Sequence, residues 1–447
     1  MALPALPDLP SAASGACLLP LLEQFLTRGH VEACRNDSLL HASRLDHQKA
    51  GAIKWRKGEK MIPVNVGLVT KEWPPHVYGG AGVHVVQLAE ALRERSEIIL
   101  SVHCFGETRT GALGQEVPQE FSQSNPALQA IATDAAIADS LGSVDVVHTH
   151  TWYANMAGHL ASLMYGIPHV ITAHSLEPLR PWKADQLAGG YQLSLWIEKT
   201  SLEAAAAIIA VSDAMRSDIL SAYPDIDPAK VHTIRNGVDT NKFAPHVDPH
   251  VLAKYNIFGR YGLFVGRITR QKGLAHLLRA WRDVPAEHGL VIAAGSPDEP
   301  VIGQEVAELI AELQLTRKNI WWIQEMLPHD ELTAILTSAD LFLCPSIYEP
   351  LGIVNLEAMG CATAVLASDV GGIPEVVEDA VTGELVHFSS DIPLFESKLT
   401  QCITRLMAQP ELLGKYGLAG RERAQKLFDW DRVAAATIVL YRKISLK

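Results

Sequence analysis

Three short segments of the chain combine residue types and spacings that can handle phosphate and sugar. In Gly266-Arg267-Ile268-Thr269-Arg270-Gln271-Lys272-Gly273 two cations, Arg267 and Lys272, stand inside a glycine-bounded loop. Arg offers a planar fork and Lys a point charge, so the pair can straddle a diphosphate. The bland alternative is a solvated basic loop. In Glu349-Pro350-Leu351-Gly352-Ile353-Val354-Asn355-Leu356-Glu357 two carboxylates flank the expected start of a helix near Gly352. At this spacing Glu349 can hold a sugar hydroxyl and Glu357 a ribose. Backbone N–H groups near Leu351 and Gly352 would point at phosphate. The third segment, Pro74-Pro75-His76-Val77-Tyr78-Gly79-Gly80-Ala81-Gly82, puts Gly79 and Gly80 where backbone can approach an anion. It lacks the spacing of the GxGxxG dinucleotide fingerprint, and a tight strand-to-helix turn without a ligand reads equally well. His148 and His150 share one face of a strand end and mimic a metal pair. No Cys, Asp or Glu lies near them in sequence, so packing or cleft-edge hydrogen bonding is expected and no metal site is assigned.

These segments need a scaffold, and the chain supplies one twice. From Met61 onward short β-branched runs alternate with amphipathic stretches, the pattern of parallel sheets covered by helices. The first series of expected strands is Val64–Val69, Ile98–Phe105, Val144–His148, His169–Thr172, Ile208–Val211 and Val231–Ile234, with a helix from about Val83. The second is Tyr261–Val265, Leu290–Ala294, Ile320–Ile323, Leu341–Cys344 and Ala364–Ala367. Two doubly wound halves imply an α/β chain of two facing domains. Ligands in such sheets sit at the carboxyl ends of strands, where the three segments fall. The expected boundaries are 61–240, a linker at 241–260, 261–425, and a C-terminal helix at 426–447 that crosses back to the first half.

Residues 1–60 keep no helix or strand period. They are expected to be either an extension without regular structure or untranslated leader read as protein. Lys57-Gly58-Glu59-Lys60 can be encoded by a purine-rich ribosome-binding sequence just before Met61. Bulk properties exclude several classes. Among 447 residues the formal net charge is −12, so no basic footprint for nucleic acid exists. No apolar run reaches the ~20 residues that a membrane helix needs. Six scattered cysteines without a CxxC pair read as buried thiols of a cytoplasmic protein.

In this order and spacing, the Gly-Gly loop, the GRITRQKG segment and the Glu-x7-Glu motif resemble the retaining GT-B glycosyltransferases, in the bacterial glycogen synthase family. The segments VYGGAGVHV, HTHTWYANMAGH and TAHSLEPLRPWKADQLAGGY are similar to the actinobacterial type. The resemblance covers essentially all of 61–447. It implies two Rossmann-like domains, the first on the acceptor side and the second binding the nucleotide sugar. It implies transfer of glucose from ADP-glucose, with UDP-glucose as the other donor, to an α-1,4-glucan such as glycogen or to glucose-1-phosphate, giving maltose-1-phosphate. No cofactor, metal, nucleic acid or membrane is expected, and a homo-oligomer is left open. By resemblance His174 contacts the donor sugar, Arg267 and Lys272 neutralise the leaving diphosphate, and Glu349 lies at the transferred sugar. Glu357 binds the ribose, and Gly80 lies in the loop over the phosphates. Arg180 and Lys183, in a loop with Pro178 and Pro181, are expected to hold a phosphate-bearing acceptor. One departure is Val77, where many glycogen synthases carry a lysine, so one donor cation is missing. Rival readings are another retaining GT-B hexosyltransferase, a sugar-nucleotide epimerase, or a catalytically silent carbohydrate-binding homologue.

Overall fold

The structure is a computed structural model that describes residues 62–77, 79–187 and 189–445. The leader expected at 1–60, with Cys17 and Cys34, lies outside the described residues, as does Tyr78 of the Gly-Gly loop. The segment 61–447 forms one unit.

Its first sheet holds β1 (Val64–Thr70), β2 (Ile98–Phe105), β3 (Leu113–Gln115), β4 (Val146–His150), β5 (His169–Ala173), β6 (Ala207–Ala210) and β7 (Val231–Thr233). Every pairing is parallel, in the order β3-β2-β1-β4-β5-β6-β7. The second sheet holds β8 (Tyr261–Val265), β9 (Gly289–Ala293), β10 (Ile320–Ile323), β11 (Leu341–Cys344), β12 (Ala364–Ser368) and β13 (Gly383–Val386). It is also parallel throughout, in the order β10-β9-β8-β11-β12-β13. Central strands β4, β5, β9 and β12 are buried along their whole length, as strands covered on both faces must be.

Each sheet reverses its strand order once, between β1 and β4 in the first and between β8 and β11 in the second. Such switch points open a crevice beyond the strand carboxyl ends. The basic loop leaves β8 and the Glu349 loop leaves β11, so both border the second crevice. Lys71 follows β1 and the His150-Thr151-Trp152-Tyr153 turn follows β4, so both border the first. Thr151 there has φ 66 and ψ 158, a conformation that a β-branched residue adopts only under strain.

The two sheets share apolar packing. One cluster joins Ala173, Leu176 and Val211 to Leu351, Phe342 and Ile373. Polar links cross as well: Ser212 Oγ donates to the Pro350 carbonyl at 2.6 Å and Arg235 Nε to Glu375 at 2.7 Å. The chain then returns. Val433, Ile438 and Tyr441 of the helix Trp430–Ser445 pack with Val66 and Leu88 of the first half.

Several expectations shift. The first helix starts at Gly80 rather than near Val83, so Gly80 and Gly82 occupy its first turn. The stretch expected as plain linker contains the helix Pro249–Lys254, capped by the Asp248 side chain on the His250 N–H. Strands β3 and β13 were not expected. Both are short edge strands whose residues include Gly, Gln and Glu, poor β formers.

Candidate active site

The Glu349 loop and the basic loop are fastened to each other before any ligand arrives. Gly273, at φ 66, ends the basic loop so close to β11 that a Cβ there would lie 1.9 Å from the Pro345 carbonyl oxygen. The Ile347 N–H donates to the Gln271 carbonyl at 2.9 Å. Lys272 Nζ reaches Glu349 Oε2 at 2.6 Å, and Ser346 Oγ donates to the same oxygen at 3.0 Å. Glu349 is only 6% exposed, so this is a buried ion pair rather than a solvated one. Burial opposes the charge on Lys272, but Glu349 and the neighbouring Cys344 outweigh it and hold the ammonium above the usual lysine value. The Glu349 backbone is gripped too. Gly372 N–H donates to its carbonyl at 2.9 Å, and Gly371, at φ 53, leaves no room there for a Cβ.

Arg267 stands at the rim, ion-paired with Asp298 at 2.7 Å. Glu357 sits in the helix Ile353–Gly360, where burial pushes its carboxyl up to about 7, with Lys272 pulling the other way. Leu351 and Gly352 close the turn before that helix and are buried. Gly80 faces this helix from the first half: a Cβ on it would lie 3.7 Å from Ile353. The Gly79 N–H is taken by Glu72, at 3.1 Å, so a carboxylate already answers the helix N-terminus there.

Histidines crowd the ends of β4 and β5. His148 is satisfied within the protein, with Nδ1 on the Tyr441 hydroxyl at 2.6 Å and Nε2 on Thr172 at 2.7 Å. His150 Nδ1 pairs with His174 Nε2 at 3.0 Å, which orients His174 and leaves its Nδ1 toward other partners. Burial holds both rings well below the ordinary histidine range, each lowered further by neighbouring histidines, so they are neutral at pH 7. His84, His150 and His174 bring ligand nitrogens within 4.8 Å of one another. The His150–His174 hydrogen bond uses one nitrogen of each of these two rings.

Beyond His174, Arg180 pairs with the fully buried Glu177, so its charge is already answered. Lys183 opens the helix Lys183–Leu187 and has no ion pair among the described residues. Burial, with Arg180, Arg267 and Lys71 nearby, pushes its ammonium down to about 8. The structure thus brings Arg267 of the second half close to Lys183 of the first. It also separates Arg180 and Lys183, expected to act together, into a neutralised and an unneutralised cation.

Residues 78–242 match the family model of Glycosyltransferase Family 4, and 259–423 match that of Glycosyl transferases group 1. The chain is 49% identical over 388 residues to the alpha-maltose-1-phosphate synthase of Mycolicibacterium smegmatis, covering 86% of this chain and 100% of that protein. It belongs to the GT-B glycosyltransferases, of the actinobacterial glycogen synthase and maltose-1-phosphate synthase type. The alpha-maltose-1-phosphate synthase of Mycobacterium tuberculosis is 48% identical over 387 residues, 85% of this chain and 100% of that one. Among solved structures, sucrose-phosphate synthase from Thermosynechococcus elongatus shares the fold, with a TM-score of 0.72 at 24% identity over 85% of this chain and 99% of that one. No helix among the described residues of this glycosyltransferase is long and apolar enough to cross a membrane.

Sequence reasoning about this glycosyltransferase passed over Lys71, Tyr153 and His84. The first two were within reach, because Lys71 directly follows β1 and Tyr153 directly follows the β4 turn. His84 carried no local signal. It lies inside a helix at a spacing that reads as core, and only the return of Trp430 and the ends of β4 and β5 surround it with rings.

Proposed function

We propose that this glycosyltransferase moves glucose, with retention of its α configuration, from ADP-glucose to the 4-hydroxyl of glucose-1-phosphate, forming maltose-1-phosphate. The buried Lys272–Glu349 ion pair, with Arg267 at the rim of the same loop, supports this reading. The full-length likeness to a named maltose-1-phosphate synthase supports the choice of acceptor.

As the C1–O bond to the donor phosphate breaks, charge grows on the diphosphate. Arg267 exchanges Asp298 for that diphosphate, while Lys272, whose ammonium is secured by Glu349, stays in place without reorganisation. The acceptor oxygen approaches C1 from the face the phosphate is leaving. Its proton passes to a phosphate oxygen as the new C1–O bond forms, so no protein nucleophile is required. Glu349 accepts a hydroxyl of the transferred glucose, neutral His174 offers Nδ1 to another, and Glu357 takes the ribose hydroxyls. Contacts that exclude water around these groups suppress donor hydrolysis.

Initial rates with ADP-glucose and UDP-glucose, each offered glucose-1-phosphate or glycogen, test the proposal. ADP-glucose with glucose-1-phosphate is expected to be the fastest pair by at least tenfold. Turnover with glycogen alone would make the protein a chain-elongating enzyme and overturn the acceptor assignment.

A further inference from the structure

The crevice at the β1/β4 switch point holds a cavity of about 520 Å³, within the range of about 300–1,000 Å³ usual for small-molecule sites. Lys71 and Tyr153 line it, with Phe105 and Leu187 as apolar wall and Gln129 and Thr133 as polar positions. Two ammonium groups lie over the Tyr153 ring, Lys71 at 3.8 Å and Lys183 at 5.8 Å from its centroid. Neither lysine has a salt bridge to a described residue. Cation–π contact offsets only part of the cost of keeping two ammonium groups together away from water. Burial pulls Lys71 below its ordinary value despite the adjacent Glu72, and Lys183 lies near 8 for the reasons given above. Arg180 and Arg267 add positive charge at Lys183, and Glu177, which counters it, is already paired with Arg180. An arrangement of this kind is stabilised by a bound anion. The strained Thr151 fixes the turn that aims Tyr153 at the spot.

We propose that this cavity is the acceptor subsite, with Lys71 and Lys183 above Tyr153 receiving the phosphate of a sugar phosphate whose ring lies in the cavity. The assignment rests on the acceptor reading above, and it replaces the Arg180–Lys183 pair by Lys71–Lys183. Arg267, whose charge acts on Lys183, belongs to the loop proposed above for the donor diphosphate.

The test has two arms on the full chain. In the first, Lys71→Gln and Lys183→Gln are compared with wild type at saturating ADP-glucose. The expected result is a rise of tenfold or more in KM for glucose-1-phosphate, with KM for the donor changed less than twofold. Lys71→Arg, which keeps the charge, is expected to retain most of the affinity. In the second arm, wild type is acetylated at pH 8 with and without glucose-1-phosphate, and each lysine is read by mass spectrometry. Lys71 and Lys183 are expected to be protected while the exposed Lys318 is not. Protection without turnover would sink the proposed reaction and leave the site standing. Turnover with unchanged KM in both variants and no protection would sink the site and leave the reaction standing.

Discussion

The most informative residue pair is Lys272 and Glu349. Buried ion pairs of this kind are poor sources of net stability, because desolvation of both charges offsets their attraction. Their use here is positional: a cation and a carboxylate are held at fixed points where a nucleotide sugar would bring the opposite charges. Removing one partner should therefore do two separable kinds of damage. Lys272→Met leaves a buried carboxylate unpaired and is expected to cost about 3–5 kcal/mol in urea unfolding, together with nearly all turnover. The double variant Lys272→Met/Glu349→Leu should recover most of the stability and none of the turnover. Recovery of both would show that the pair serves folding rather than chemistry. Residue types announced each member in the sequence, Lys272 beside Arg267 as a diphosphate cation and Glu349 beside Glu357 as a sugar carboxylate, but not the two as partners. What they could not announce was that each charge already has a partner, since Asp298 lies 31 positions from Arg267 and Glu349 lies 77 positions from Lys272.

At the scale of elements, β4 and β5 deliver His148, His150 and His174 toward the carboxyl end of the sheet, where His84 joins them, while His169 lies at the amino end of β5. Burial lowers every one of them, His84 to about 4 and His169 to about 3. A base whose folded value is depressed contributes stability that is present above its unfolded value, near 6.5. That stability is lost as pH falls toward the folded value, because the unfolded chain then binds protons that the folded chain refuses. The urea midpoint is accordingly expected to drop between pH 7 and pH 5. Glu198 and Glu357, both raised to about 7, push in the opposite sense over the same window, so a drop identifies the histidines as dominant. A flat or rising profile would contradict that dominance.

The elements themselves were largely legible, because continuous aliphatic strands such as Leu341–Cys344 and amphipathic helices announce their period. The short edge strands β3 and β13 were not, because Gly and Gln or Glu interrupt any apolar run in them. Likewise the histidine pair 148 and 150 was visible as a pair, but its two members part company in the fold. His148 turns to Tyr441, which is 293 positions away, and His150 turns to His174. Pairings at that distance depend on the crossing of the last helix, which no local pattern encodes.

For the molecule as a whole, the decisive feature is that two parallel sheets turn their switch points toward each other. Each sheet alone offers half a site: the second holds fixed cations and carboxylates, the first histidines and a lysine pair over Tyr153. The shared cluster of Leu176, Val211, Leu351 and Ile373, and the return of the helix Trp430–Ser445, hold the halves at that spacing. Direct transfer between two bound sugars is the reaction proposed for this arrangement, and front-face attack makes a definite stereochemical claim: the new bond keeps the α configuration of the donor. Proton NMR of the reaction of the full chain with ADP-glucose and glucose-1-phosphate, followed from its first minutes, reads that claim at the anomeric proton of the newly formed bond. An α-1,4 linkage appearing directly as ADP is released is the predicted result. A β linkage, or ADP release with free glucose as the only sugar product, would contradict the account.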